Sequence, residues 1–330
     1  MAKGPKKQTF INPLITSLKV LAQIDVTLDR QWEHHVVLKD GWAMMHNGII
    51  AAGERITESF NICPHNDLLI QALSKCGQNV SFTELETQRL SVKSDKFRAI
   101  IPCLSLYDMM IPSPDPRCAT VDDRLKDAIR AVSALADDDP TRLIKASILI
   151  DSGSAYATDG HVLIEAWHGI DLPPMLALPK AIIAPLVKNQ KKLSGFGYSQ
   201  SSCTFYYDDG SWIKSQFYAD KWPDVAHAIN QASQQTPLPD NFYDGLAAVE
   251  KFSDDGYVYF DNGVLRSHRT ADEGASYEVL GLPQGPIMKI SNLKMIKPYV
   301  KTVDFLARNG KMLMWYGENV RGAIMGRSDR

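Results

Sequence analysis

Asp159 and His161 stand on either side of Gly160, with His168 a short way downstream. On an extended strand positions 159 and 161 face the same way, so a carboxylate and an imidazole there could relay a proton or offer two ligands to one metal ion. A hydrolase or metalloenzyme centred on Asp159, His161 and His168 is therefore one reading. The sequence supplies little else for it. No third ligand arrives at a recognisable spacing, and there is no H-E-x-x-H, G-x-S-x-G, P-loop or Rossmann fingerprint. The commoner use of Asp-Gly is backbone geometry, because Gly tolerates positive φ and Asp accepts from neighbouring N–H groups. The five cysteines, Cys63, Cys76, Cys103, Cys118 and Cys203, are odd in number and lack a C-x-x-C spacing, which argues against a disulfide framework and a zinc site. No catalytic residue, metal or cofactor is expected.

The elements that must position this corner can be read outward from it. Two β-prone runs, Ser147 to Asp151 and Ala155 to Thr158, flank Ser152-Gly153-Ser154, and Asp159-Gly160 then bends the chain into His161-Val162-Leu163. Leu178-Pro179 opens a helix expected from Lys180 to Leu193. Strands follow, ending in Phe217-Tyr218-Ala219-Asp220-Lys221-Trp222-Pro223-Asp224.

A chain of 330 residues with 45% hydrophobic and 22% charged residues suits two or three globular domains. The apolar region from Phe10 to Val26 is interrupted by Asn12, Thr16, Ser17, Lys19, Gln23 and Asp25, so it fits neither a signal peptide nor a membrane span. A cytoplasmic protein with no membrane partner is expected. Two linker-like stretches, Ile111 to Pro116 and Asn230 to Pro237, divide the chain into three pieces, 1–113, 117–229 and 237–330. Each opens with an amphipathic helical pattern: Ile11 to Ile24, Val121 to Ala136, Asp240 to Phe252. Hairpins follow at Val36 to Ala52, Ser147 to Leu163 and Tyr257 to Val279. Second helices come next, at Asn66 to Cys76, Lys180 to Leu193 and Ser291 to Val303. Closing strands run over Arg89 to Cys103, Thr204 to Tyr218 and Lys311 to Met325. One order of elements repeated at this period is a triplicated α+β domain rather than a solenoid.

Net charge is only −2, so any pull toward nucleic acid must be local. The stretches Lys180 to Leu193 and Lys289 to Val303, which span the second helices of the middle and last pieces, carry Lys180, Lys188, Lys191, Lys192, Lys289, Lys294, Lys297 and Lys301 with no Asp or Glu among them. Spacings of three or four residues place these ammonium groups along one face. Arg124, Lys126 and Arg130 add charge from the first helix of the middle piece, offset in part by Asp122, Asp123 and Asp127. A solvated lysine face is the plain alternative. As a DNA contact, lysine touches phosphate without fixed geometry, which positions a protein without reading sequence. Pro185 and Pro298 fall inside the expected helices, where each should bend or shorten the helix.

Three spaced motifs carry a family resemblance. Ala157 to Leu163 resembles the A-T-D-G-H-R-L strand of the bacterial DNA polymerase III β subunit, the β sliding clamp. Leu178-Pro179 resembles its I-P helix start, and Trp222-Pro223-Asp224 resembles its F-P-D-Y segment. The resemblance implies three repeated clamp domains, each with two inner helices and outer antiparallel sheets, in a head-to-tail dimeric ring. It implies a homodimer around double-stranded DNA, bound without sequence preference through Arg124, Lys126, Arg130, Lys180, Lys188, Lys191, Lys192, Lys294, Lys297 and Lys301. It further implies a hydrophobic pocket for peptides of DNA polymerase and clamp loader, at Thr158, Gly160, His161, Val162 and Leu163 with Ile324 and Met325. For ring closure it points to Phe97 and Phe252. The sequence departs from the family at Val162, where Arg is usual, at Asn230, where a proline is usual, and in the tail Gly326 to Arg330. These departures point to a divergent, phage-type clamp with its own partner. A monomeric, sequence-independent DNA-binding protein is the other non-enzymatic reading.

Overall fold

The computed structural model describes residues 13–24, 30–77, 79–86, 88–137, 139, 141–219, 221–270 and 272–327. Expectations that fall on Ile11, Asn12 and the tail residues Ser328 to Arg330 lie outside the described residues. The chain forms two compact units, one of residues 1–126 with 181–217, the other of residues 127–180 with 218–330.

The first unit is built on an 11-stranded antiparallel sheet. Its hairpins follow from local chemistry: between strands Val37–Lys39 and Trp42–His46 the turn residues Asp40 and Gly41 have φ of +51° and +75°, the pair of left-handed residues that a tight hairpin of right-handed twist requires. Strand Ile50–Arg55 then pairs with Trp212–Gln216, so that strands far apart in sequence run in one sheet. Helices Pro13–Leu21 and Asn66–Ser74 pack together, burying Leu14, Leu18 and Leu21 from one and Leu69 and Leu73 from the other.

In the second unit an eight-stranded sheet runs Leu176–Pro179, Ser147–Asp151, Ser154–Thr158, Val162–Trp167, Val320–Met325, Met312–Tyr316, Thr302–Asp304 and Thr236–Pro237. A four-stranded sheet of Ser276–Glu278, Val264–Arg266, Tyr257–Phe260 and Ile287–Lys289 lies in the same unit, with helices Phe242–Glu250 and Ile290–Ile296. The seam Val162↔Ile324 to Ala166↔Val320 joins the middle and last thirds of the chain.

Each large sheet has one place where a tryptophan lies over a cross-strand glycine. A Cβ on Gly53 would come within 2.5 Å of the Trp212 ring, and one on Gly322 would come within 2.5 Å of the Trp315 ring and 2.4 Å of the Leu163 carbonyl. Only glycine lets the strands close at these positions.

The architecture is α+β, as expected, with antiparallel sheets dominating. The lysine-bearing helices are shorter than the sequence pattern suggested. Lys180–Ile182 is a 3-10 turn, Ile183–Lys188 is α-helical, and Leu193 already belongs to strand Leu193–Tyr198. Pro185 sits in the first turn of its helix, where its missing N–H has no intrahelical partner to lose. Pro298 lies just beyond helix Ile290–Ile296 and helps end it. The stretch expected as the middle domain, 117–229, contributes to both units, because its strands pair with strands of the first third in one sheet and of the last third in another. Among the described residues no helix is long and apolar enough to cross a membrane.

Candidate functional site

The corner at residues 158–163 is a closed set of local hydrogen bonds. Thr158 Oγ1 donates to the Val162 carbonyl at 2.7 Å and accepts from the Gly160 N–H at 3.0 Å. Asp159 Oδ1 accepts from the N–H groups of His161 at 2.8 Å and Val162 at 2.7 Å. Gly160 has φ +88°, and the Lys145 ammonium lies across it, 3.2 Å from where a Cβ would stand. The carboxylate that looked available for chemistry is thus spent on the backbone. His168 Nδ1 accepts from the Ile170 N–H at 3.2 Å, a further local bond. Among the described residues no three His, Cys, Asp or Glu side chains come together as metal ligands would. This geometry lends the hydrolase or metalloenzyme reading no support.

Beside the corner lies an apolar cavity of about 360 Å³. Thr158, Gly160, His161, Val162, Leu163 and Met325 line it, together with Ile144, Lys145, Val225, Ala228, Arg308, Met312 and Ala323. Its floor is the surface of a core cluster in which Leu149, Tyr156, Leu163, Trp222, Met312, Met314 and Ala323 pack together. Trp222 is fixed by its indole N–H, which donates to Ser147 Oγ at 3.0 Å. Pro223 and Asp224 follow at the cavity edge, where Asp224 caps helix Val225–Ile229 by accepting from the His227 N–H at 3.1 Å. The His161 carbonyl accepts from the Met325 N–H at 2.8 Å, which holds the final strand against the corner.

Ile324 does not line this cavity. Strand side chains alternate, and the register pairs Leu163 with Ala323 and Val162 with Ile324, so Ala323 and Met325 share the cavity face while Ile324 is wholly buried on the other. Burial and polar partners around Tyr156 have a similar structural character. Its hydroxyl donates to Glu165 Oε1 at 2.8 Å, and burial first, then that carboxylate, pushes its pKa upward. Glu165 in turn accepts from Arg321 at 2.5 Å.

The expected DNA-contacting cations fall into three groups. Lys126 is buried: its ammonium donates to the carbonyls of Asn189 at 3.1 Å and Lys191 at 2.7 Å and pairs with Asp123 at 3.2 Å. Lys191 is half-buried between Glu54, Asp209 and Ser211, with the Asp209 pair at 2.6 Å. Neither side chain is presented to a ligand, contrary to expectation, because both tie loops of the first unit together. Arg124, Arg130, Lys294 and Lys301 are exposed and paired with Asp122, Asp127, Glu250 and Glu318 respectively. Lys188, Lys192 and Lys297 are exposed and have no carboxylate partner among the described residues, Lys297 instead lying 5.1 Å from the Tyr243 ring centre. Lys180 is half-buried in the 3-10 turn.

Phe97 begins strand Phe97–Leu104, half-buried, and Phe252 is 54% exposed just past helix Phe242–Glu250. Among the described residues, 97–101 of that strand pair with Arg89–Ser94 on one side only, since Asn61–Pro64 reaches just Cys103 and Leu104 on the other. Ile100, 49% exposed, stands on this open edge.

No family model matches the sequence, and no curated protein does either. Solved structures match along nearly the whole chain. The DNA polymerase sliding clamp of Pseudomonas aeruginosa, crystallised with a ligand, superposes with a TM-score of 0.79 over 96% of this chain and 97% of that one at 15% identity. The beta sliding clamp of C. crescentus gives 0.79 at 16% identity with the same coverage. The chain has the sliding-clamp fold. The sliding clamp of Bacillus subtilis, at 0.75 and 14% identity over 96% and 97%, has it too. At such identities the clamp fold is kept by the pattern of strands, turns and buried positions rather than by particular side chains. The sequence motifs located the cavity of this clamp fold but missed several of its walls. Lys145, Arg308 and Met312 carry no motif, and they reach the cavity only through long-range pairing. Pro223 and Asp224 were visible in the Trp-Pro-Asp segment, as elements of the fold and not as parts of the site.

Proposed function

We propose that the chain is a DNA sliding clamp, a polymerase processivity factor of divergent, phage type that performs no chemistry. Three modules, 1–113, 117–229 and 237–330, from each of two copies would close a ring around duplex DNA in the cytoplasm. The clamp fold running through 96% of the chain is the observation that carries this reading. Retention by topology asks little of each phosphate contact, and exposed cations such as Lys188, Lys192 and Lys297 supply contacts that are weak, exchangeable and indifferent to sequence. Arg124, Arg130, Lys294 and Lys301 can trade a surface carboxylate for a phosphate at small cost, since exposed ion pairs contribute only about 0–1 kcal/mol. The apolar cavity beside the 158–163 corner would take a peptide of the polymerase or of a clamp loader, as an apolar floor with polar edges suits a linear anchor.

Ring closure is read at the open edge of strand Phe97–Leu104. There the half-buried Phe97 and the exposed Ile100 suit an exposed apolar side chain such as Phe252 on a second copy. The test is a nicked plasmid circle. A clamp, loaded by whatever opens it, stays on the circle through gel filtration at high salt and is lost when the circle is cut once. Retention that ignores linearisation, or a monomeric mass in solution at micromolar concentration, would reject the ring in favour of a monomeric DNA-binding protein.

A further inference from the structure

The apolar cavity has a second, polar compartment beyond its rim. Its volume is about 240 Å³, and it shares His161 and Met325 with the first while adding Tyr257, Lys289, Asn292 and Arg327. A peptide seated on Leu163 and Met312 would therefore continue over Met325 into a compartment of different chemistry.

The charges around this double groove are unbalanced. Lys145, stretched across Gly160, and Arg308 flank the apolar part, and Lys289 lines the polar part. Among the described residues none of these three has a carboxylate partner. The nearby carboxylates are engaged: Asp159 accepts from two backbone N–H groups, Asp224 caps a helix, and Asp255 is bound by Arg327 at 2.8 Å and by the Tyr259 hydroxyl at 3.0 Å. Arg327 is thereby a positioning residue. It stacks over Tyr257 at 4.4 Å, and its own N–H donates to the Ile287 carbonyl at 2.9 Å, which fixes the chain just after Met325.

Three cations without carboxylate partners on both sides of an apolar slot attract an anion on either side of an apolar anchor. We propose that this groove selects a linear peptide in which acidic side chains flank the apolar anchor, with one carboxylate met by Lys145 and Arg308 and another by Lys289. The proposal rests on reading the cavity as a peptide pocket and adds the chemistry of what enters it. Because Arg308 and Lys289 are exposed and Lys145 is half-buried at the rim, the preference should act through screened attraction and fade with salt.

Two fluorescent peptides test it, both with a core of two leucines and a phenylalanine, one flanked by Asp and Glu, the other by Asn and Gln. With the full chain at about 50 mM salt the acidic peptide should bind at least about tenfold more tightly by anisotropy, and the gap should close near 500 mM. The combined variant Lys145→Gln, Arg308→Gln and Lys289→Gln should erase the difference, so that the two peptides bind that variant with equal affinity at both salt concentrations. Equal binding of both peptides, with both lost in Leu163→Asp, would keep the pocket and overturn the acidic preference. Binding of neither peptide would overturn the pocket as well. Displacement of the acidic peptide by a short DNA duplex, in the parent protein and not in the triple variant, would reassign the cations to phosphate and also overturn the proposal.

Discussion

The corner at 158–163 and the lysine-bearing helices are both rich in polar side chains, yet they use them in opposite ways. At the corner nearly every polar group is bonded to the neighbouring backbone, and what remains for a partner is apolar wall. On and just after the helices the polar groups are largely exposed charges, Lys294 and Lys301 held by surface pairs and Lys188, Lys192 and Lys297 without a carboxylate partner among the described residues. A site for one particular ligand needs fixed walls, whereas a surface for sliding along a polyanion needs contacts that can be exchanged. Mutations in the first region should therefore be felt as stability and shape, and those in the second as salt-dependent affinity.

The largest effect is expected where the final strand crosses the corner. Gly322→Ala would place a Cβ 2.4 Å from the Leu163 carbonyl and against the Trp315 ring, neither of which is a flexible chain end. We expect a loss of about 2–3 kcal/mol in urea unfolding, together with loss of peptide binding. Lys126→Ala sharpens the comparison from the other side. Although it is one of the candidate DNA contacts by sequence, it should cost about 2 kcal/mol by leaving the Asn189 and Lys191 carbonyls short of a charged donor. An unchanged melting curve with weakened DNA binding would place Lys126 with the exchangeable cations after all. Asp159→Ala comes next, at about 1 kcal/mol for two backbone N–H groups at the corner, with reduced peptide affinity and no change in any turnover.

The corner was legible in the sequence because its bonds are local: Thr, Asp and Gly in that order already specify an Asp-capped turn with one left-handed residue. The order of helices, hairpins and closing strands was legible for the same reason. What the sequence hid was long-range. Ile324 and Met325 look equally apt as pocket walls until the pairing of Val162 with Ile324 decides which faces out. Lys126 sits between the buried Leu125 and Ile129 on a helix whose charged pattern looks exposed, and its partners lie in a loop far along the chain. The two-unit division is likewise a matter of which strands find each other across the thirds, which no linker composition announces.

A pH scan should separate the two units. In the first, burial holds His35, His46 and His65 below the ordinary histidine value of 6.5. His34 and His65 also depress His35, while the Gln31 carbonyl, Glu33 near His46 and Asp67 near His65 pull the other way. Since the folded pKa values lie below the unfolded ones, the unfolded chain binds more protons, and stability falls as pH drops below about 6.5 toward the folded values. Urea midpoints of the first unit's transition should be lower near pH 5.5 than near pH 7.5, and His35→Gln with His65→Gln should flatten the difference. A pH-independent midpoint would mean that these imidazoles are already solvated.

The smallest effects belong to the exposed cations, and they discriminate best between a sliding surface and an ordinary solvated one. Lys188→Gln, Lys192→Gln and Lys297→Gln should each leave stability within about 0.5 kcal/mol. If each touches phosphate, each should reduce the slope of log affinity against log salt by somewhat under one. Glu250→Gln reverses the logic. Lys294 is bound to both Glu250 oxygens, at 2.8 and 3.0 Å, so removing that charge frees the ammonium for phosphate. DNA affinity should rise a few-fold at low salt and not at all at high salt, since a surface pair contributes under about 1 kcal/mol and is screened like any other exposed interaction. If Glu250→Gln left DNA binding untouched while Lys294→Gln weakened folding, Lys294 would belong with Lys126 as a tie within the fold.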